Sequence, residues 1–462
     1  MSSNETASSR LRRQLSLLLD ADLRRDSLLL FGLLFLLNGI AYSQGFTGGS
    51  SARHIALGGG PLNPYLRDIM RVHTNPAQLA SDSNFVWSDV GYLATDGVNG
   101  GSRFQFLAAG IIVSEQSTIG VILNKRESPL YTVDNSTPAL DPVDEMNGYV
   151  GSVLGFGGSQ FARPLSPIEI VGAFHALQCD VGGSITYGGW KNERTGGGDL
   201  LQRTRTWRFK VGFIAPHIGN AVTVDAAVLL GLNSMEASYT TNGLANKLSM
   251  EDGMELGLDV RTEYTLDGRW TLVPRIRAYT FSWGMSQVKN GITISPDPIS
   301  EYSHHEYEVG IGENYRSGNF LIVGGLSYQR TVLENIYKSS GTSSTTTITI
   351  DDLPKINLGM EIQIAPWVVA RIGYFDRIAS TETVTENGSG KTTTTVSSEL
   401  PWYGDPNGMS AAQQRLTLGI GINLAGVGVD ATIGEGYFLN GPWPLSGTAQ
   451  QMFGVVSMNC QF

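Results

Sequence analysis

The chain has 462 residues, a net charge of −10, 16% charged residues and 57 glycines. Average globular chains carry about 25% charged residues and about 7% glycine, so this chain is poor in charge and rich in glycine without being rich in apolar residues. The acidic balance excludes nucleic acid as the main partner, because phosphate binding needs a basic surface. A helical membrane bundle is excluded as well, since it needs several apolar runs of about 20 residues. What fits is a membrane β-barrel, in which only alternate residues face lipid.

Arg10, Arg12, Arg13, Arg24 and Arg25 precede an apolar run over residues 28–40, and Ala41-Tyr42-Ser43 follows as a small-x-small pattern. This predicts a secretory signal peptide over residues 1–43, with a single N-terminal membrane anchor as the alternative. The two cysteines, Cys179 and Cys460, are too few for a disulfide scaffold or a Cys-rich zinc site.

Residues 44–83 do not alternate and are expected to form a compact hatch ahead of a barrel spanning residues 84–462. The hatch contains Ser51-Ala52-Arg53-His54-Ile55-Ala56-Leu57-Gly58-Gly59-Gly60 and then Asn75-Pro76-Ala77-Gln78-Leu79-Ala80. Gly58 and Gly59 permit backbone conformations closed to other residues. Pro76 fixes its own φ and holds Asn75 extended.

From about residue 84 the chain reads with period two. Glu255, Gly257, Asp259, Arg261 and Glu263 share one face, and Leu256, Leu258, Val260, Thr262 and Tyr264 share the other. Successive strand residues point to opposite faces, so this segment is polar on one side and apolar on the other. Residues 206–213, 358–364, 415–424 and 427–433 repeat the pattern. A soluble β-sandwich also alternates. Here the segments run longer than ordinary soluble strands, and short and long connections take turns, as in outer-membrane barrels.

Sixteen segments are expected: 84–94, 102–114, 117–125, 146–160, 167–189, 205–216, 220–232, 253–264, 269–281, 305–316, 320–330, 354–364, 367–375, 412–423, 427–435 and 450–462. The segment 167–189 is long enough for two strands. Short turns are expected at Leu266-Asp267-Gly268, Ser317-Gly318-Asn319, Ala365-Pro366 and Ala425-Gly426. Long external loops are expected at 126–145, 190–204, 233–252, 282–304, 331–352, 376–411 and 435–449. The Ser/Thr-rich stretches 339–349 and 381–398 fall among those loops. The chain ends on Phe462, where a terminal aromatic resembles the signal read by the barrel assembly machinery.

The elements at 51–83, followed by a barrel ending in Phe, resemble the FadL-type outer-membrane transport superfamily, and within it the PorV/PorQ-like branch. The resemblance implies an N-terminal hatch in the lumen, a 14-stranded barrel, and passage of hydrophobic compounds such as long-chain fatty acids or aromatic hydrocarbons. Arg53, Gly58, Gly59, Asn75, Pro76 and Ala77 would form the hatch and its gate. An insertion over residues 61–74 departs from the family pattern. PorV-like proteins instead serve as partners in a secretion system.

Other constellations carry less. Residues 301–308, with His304, Glu306 and Glu308 on one face, are the densest group of metal-type donors. They are equally the polar start of a strand, and no metal or cofactor is expected. Gly310-Ile311-Gly312 and Gly419-Ile420-Gly421 lie inside strands and lack the strand–turn–helix context of nucleotide loops. No Gly-x-Ser-x-Gly or phosphate-loop element occurs, so no enzyme is expected. Arg275 and Arg277 should face Glu255, Asp259, Arg261 and Glu263 inside the lumen, as stiffening ion pairs or as a charged constriction. Trp207, Trp270, Trp283, Trp367 and Trp402 are expected in the interfacial girdles.

The expectation is therefore an all-β transmembrane antiparallel barrel of 14–16 strands in a bacterial outer membrane, in contact with lipid. Its function would be passive uptake of small hydrophobic molecules. The alternative is a plugged barrel that docks a secretion or surface-attachment partner. The inward-facing residues read as largely polar, which speaks against a large apolar pocket.

Overall fold

The computed structural model describes residues 50–58, 63–81, 84–92, 107–131, 139–154, 160–165, 167–195, 198–218, 221–339, 342–398, 416–424, 426–433 and 453–462. The expected leader, Gly59 and Trp402 lie outside these residues.

The wall strands are β1 (Phe85–Tyr92), β2 (Leu107–Ser114), β3 (Ser117–Leu123), β4 (Ile168–Ala176), β5 (Cys179–Arg194), β6 (Asp199–Ile218), β7 (Val222–Thr241), β8 (Leu244–Thr265), β9 (Trp270–Lys289), β10 (Ser300–Ser317), β11 (Phe320–Ser339), β12 (Thr342–Ala365), β13 (Val368–Asn387), β14 (Leu416–Leu424), β15 (Val427–Ile433) and β16 (Phe453–Gln461). Each pairs antiparallel with the next, and β16 returns to β1 from Phe85↔Gln461 to Tyr92↔Val455. The sheet is closed with no free edge around its circumference. It has the 16 strands counted from alternation rather than the 14 that the family resemblance implied. Two further pieces, Ile292–Thr293 and Gly390–Ser398, fold back on β9 and β13 as hairpin arms.

The count of 16 survives two compensating corrections. The segment expected as a strand at 146–160 is instead a helix, α2 (Pro142–Leu154), preceded in the chain by α1 (Ser51–Ala56). Asp141 accepts from the backbone N–H of Asp144 at 3.1 Å, and Pro142 takes the first helical position, where its missing N–H costs nothing. Val143, Met146, Val150, Val153 and Leu154 form one buried helical face. The segment 167–189 divides into β4 and β5 at Leu177-Gln178, both at positive φ (52° and 65°). Neither residue is a usual turn former, so the sequence left open whether this segment was two strands or one bent strand.

Strand length is the second correction. β6 and β7 have 20 residues each, β8 has 22 and β12 has 24, where about 9–11 suffice to cross a bilayer. The expected loops at 190–204, 233–252, 282–304 and 331–352 are largely wall, as is much of the described part (376–398) of the loop expected at 376–411. Asn242-Gly243 and Asn290-Gly291, both at positive φ, close two of these tall hairpins, as Asn-Gly does in tight β-turns. The Thr-rich stretches pair as strands because a β-branched side chain suits a pleated surface.

The faces separate cleanly. On β8, Met254, Leu256 and Leu258 are exposed while Glu255, Asp259 and Arg261 are buried. Trp207, Trp270 and Trp367 point outward, and Trp270 meets Tyr315 with ring centroids 4.6 Å apart. Trp283 is different: it is buried inside the barrel and stacked on Tyr302 at 4.1 Å. Its parity with Arg275 and Arg277 turns it inward, so it is no girdle residue.

An outward belt of this kind predicts depth-dependent costs. Leu258→Arg should destabilise the barrel by about 2–4 kcal/mol. Thr393→Arg, on the hairpin arm, should change stability by less than about 0.5 kcal/mol. Urea unfolding in lipid vesicles, followed by tryptophan fluorescence, measures both.

Candidate functional site

Residues 50–58 and 63–81 lie inside the barrel, against the ends of the strands that carry the short turns. The wall glycines allow the close approach. A Cβ on Gly212 would stand 1.7 Å from Asn75 Oδ1, and one on Gly182 would stand 2.4 Å from the Ala77 nitrogen. One on Gly359 would be 2.6 Å from the Leu57 carbonyl, and one on Gly373 would be 2.2 Å from the Gly58 nitrogen. Tyr65 lies over Gly312 and Gly325 in the same way. Gly58 itself has φ +70°, and its carbonyl accepts from Asn357 Nδ2 at 2.7 Å.

Hydrogen bonds and ion pairs then fix the segment to the wall. The Ser50 hydroxyl caps α1 by accepting from the Arg53 N–H at 3.0 Å, and it donates to Asp430 at 2.7 Å. Arg53 forks between Glu361 on β12 (2.9 and 3.2 Å) and Asp68 (2.9 Å). A two-toothed guanidinium–carboxylate contact is geometrically specific. Glu361 also takes Arg371 at 2.7 Å, and Arg371 reaches Asp430 at 2.6 Å. His54 Nδ1 accepts from the Asn63 backbone, which leaves Nε2 to donate to Asp68 at 2.9 Å.

Further along, Arg71 meets Asp225 at 3.0 Å and Asp259 at 3.5 Å. Asp259 is shared with Arg275, which also reaches Glu308 at 2.9 Å. Arg261 donates to the Leu66 and Tyr65 carbonyls at 2.9 and 3.2 Å and pairs with Glu263, which holds Arg67. Lys125 and Lys210 both donate to the His73 carbonyl, at 3.0 and 2.7 Å. Asn75 Nδ2 donates to Asp225 at 2.6 Å, while its Oδ1 accepts from the Ala77 N–H at 2.9 Å. Asn75 thus caps the short helical turn Pro76–Ser81 and ties it to β7.

The residues expected in the lumen are therefore brought together as a charged layer on which the segment rests. Arg277 pairs with Glu306 at 3.0 Å. Glu255, fully buried, takes Arg208, Asn233 and Tyr279. His304 and Glu306 stand 3.9 Å apart, and Glu308 is engaged by Arg275 and Lys355. Among the described residues no group of three or more such donors is placed to hold a metal ion. Phe462 donates its backbone N–H to Asn84 at 3.0 Å, and its side chain is exposed at the seam.

Sequence reasoning missed Tyr65, Asp68 and Arg71. All three lie in the 61–74 insertion, which supplies much of the grip. The available signal was the cluster of charges Arg67, Asp68 and Arg71 in a chain otherwise sparing of charge.

Beyond the charged layer the lumen changes character. Met235, Leu248, Met250, Phe281, Trp283, Met285, Tyr302 and Leu333, from β7 to β11, form one apolar lining, and the buried face of α2 packs against it. The expectation of a largely polar interior is thus corrected. Met235, Leu248 and Met250 lie in a stretch expected as loop, where inward parity could not be assigned.

No family model matches the chain, and no curated protein matches it. Solved structures do. The Pseudomonas putida toluene transporter TodX is similar over 91% of this chain and 100% of its own, at 10% identity and a TM-score of 0.36. The Ralstonia pickettii toluene transporter TbuX is similar over 90% and 99%, at 8% identity and 0.35. The FrpB iron transporter from Neisseria meningitidis is similar over 84% of each chain, at 8% and 0.32. The likeness concerns the barrel and carries no substrate to this chain.

Two predictions follow from the seat. Gly212→Val should dislodge Asn75-Pro76-Ala77 and raise hydrogen exchange over residues 63–81. Gly172→Ala, whose Cβ meets nothing within 4 Å, should leave it unchanged. Acid should loosen the segment in two stages. Burial and Lys125 push the His73 ring down to about 3, so it sits neutral. Its contribution is complete above the free value of 6.5 and falls as pH drops from there towards 3. Burial works against the Asp68 carboxylate, but His54 and Arg53 outweigh it and hold Asp68 down to about 2. That contribution is present above the free value of 3.8 and is lost as pH falls towards 2. His73→Gln should abolish the first stage of the exchange profile and keep the second.

Proposed function

We propose that the protein is an outer-membrane barrel that takes up small hydrophobic molecules, in line with its FadL-type resemblance. The observation that carries this reading is the order of layers in the lumen. An apolar lining rich in methionine and aromatic rings stands at the tall end of the wall, and a charged, clamped segment packs inside the opposite end. Methionine adapts its shape to irregular apolar partners, and water-excluded apolar walls reward burial of an apolar ligand.

The tall hairpins would receive the molecule from outside, and α2 would yield its place on the lining. Asn75, Pro76 and Ala77 would form the gate, because their seat on Gly182 and Gly212 is the point where residues 63–81 are pinned to β5, β6 and β7. The outward apolar belt would face membrane lipid.

The test is binding to the folded, detergent-solubilised protein. Wild type should carry or accept a fatty acid or hydrocarbon at near-stoichiometric level, read by mass spectrometry of extracted small molecules. Leu248→Trp, which overfills the lining, should weaken that binding by about tenfold or more while the barrel still resists urea. An empty wild-type barrel that co-purifies with a stable protein partner would instead support the docking role of PorV-like proteins.

A further inference from the structure

The lining is apolar, yet it contains two polar atoms left without partners. Trp283 is 2% exposed, and its Nε1–H has no hydrogen-bond partner among the described residues. Asn335 is 6% exposed, and its Oδ1 has none either. A buried donor or acceptor left unsatisfied costs about 1–3 kcal/mol, so such atoms are rare in native interiors.

Other buried polar atoms of the lumen, such as Asn314 Oδ1 and Arg261 Nε, also lack a partner among the described residues; those of Trp283 and Asn335 are set apart by lying in one row of the apolar lining. Strand register puts Trp283 on β9 opposite Tyr302 on β10, and Tyr302 opposite Asn335 on β11. The three residues therefore form one row across the inner wall, with the indole of Trp283 stacked on the ring of Tyr302. The Tyr302 hydroxyl is already used, donating to Glu145 Oε1 of α2 at 2.6 Å. What the row offers is one free N–H and one free carbonyl oxygen set in an apolar surface.

We propose that this row selects the ligand: the lining prefers apolar molecules that bear a neutral hydrogen-bonding group, such as a ketone, an ester or a hydroxyl, over plain hydrocarbons. The Trp283 N–H donates to the oxygen of that group, and Asn335 accepts where the group has a proton to give. A plain hydrocarbon fills the same volume and leaves both atoms unsatisfied. A site built to hydrogen-bond its substrate rejects the analogue lacking that group for this reason. The inference rests on the hydrophobic-uptake reading and narrows it.

The experiment uses the full-length folded protein and two probes of equal carbon count, decane and the corresponding straight-chain methyl ketone. Affinities are measured for wild type and for Trp283→Phe, which keeps the aromatic stack and removes the N–H. The ketone-to-decane affinity ratio should fall about three- to tenfold in the variant, with decane binding altered less than about twofold. Comparing ratios cancels the different solubilities of the probes. A second measurement needs no variant: of the eight tryptophan indole N–H resonances of wild type, one should shift with the ketone and hold still with decane. An unchanged ratio, or indole resonances that respond alike to both probes, overturns the selection. Failure of wild type to bind either probe or a fatty acid overturns the uptake reading itself.

Discussion

The backbone of residues 50–58 and 63–81 lies against the inner wall at distances that no side chain would tolerate, and the rest of the lumen is arranged around that approach. Gly182 and Gly212 receive Asn75, Pro76 and Ala77, while Gly359 and Gly373 receive Leu57 and Gly58. These positions account for part of the glycine excess of the chain. Glycine in a strand gives up packing and conformational entropy, and here the bare backbone is filled by the segment that docks on it. Once seated, the segment sets Arg53, Arg67 and Arg71 against the wall carboxylates Glu361, Glu263 and Asp225, and for Arg53 and Arg71 both charges of the pair leave water together. Buried charges persist only when paired, so wall and segment complete one another.

The same seat divides the barrel into two chemical zones. At the short-turn end the buried charges are held in ion pairs between segment and wall. At the tall end the inward positions of β7 to β11 turn apolar, and α2 covers them. The division runs along strands of 20 to 24 residues, about twice the length that crosses a bilayer. The inward row of β9 shows the change along one strand, as Arg275, Arg277 and Tyr279 give way to Phe281, Trp283 and Met285.

Much of this was legible in the sequence. Alternation on β8 assigned Glu255, Asp259 and Arg261 to the inside and Leu256 and Leu258 to the outside, because a barrel with lipid on one face leaves no other register. What escaped was local and had physical causes. The turn at Leu177-Gln178 carries no turn residue, so tertiary pairing rather than turn chemistry sets it. The Thr-rich tall hairpins looked like solvated loops by composition, although threonine is a good strand former. The helix α2 was masked by an apolar run too short to show its period. The grip of Arg71 was unreadable because its partners Asp225 and Asp259 lie well over a hundred residues away, and Asp68 meets Arg53 and His54 only once the insertion has folded back on α1.

The central proposal is that residues 50–58 and 63–81 close the lumen at the short-turn end. Conductance across planar bilayers tests it most directly, comparing the protein with a variant lacking residues 44–83. The account predicts a silent wild type and steady ion currents from the variant, whose insertion shows that the barrel reaches the bilayer. Steady currents of equal size from the wild type would contradict it.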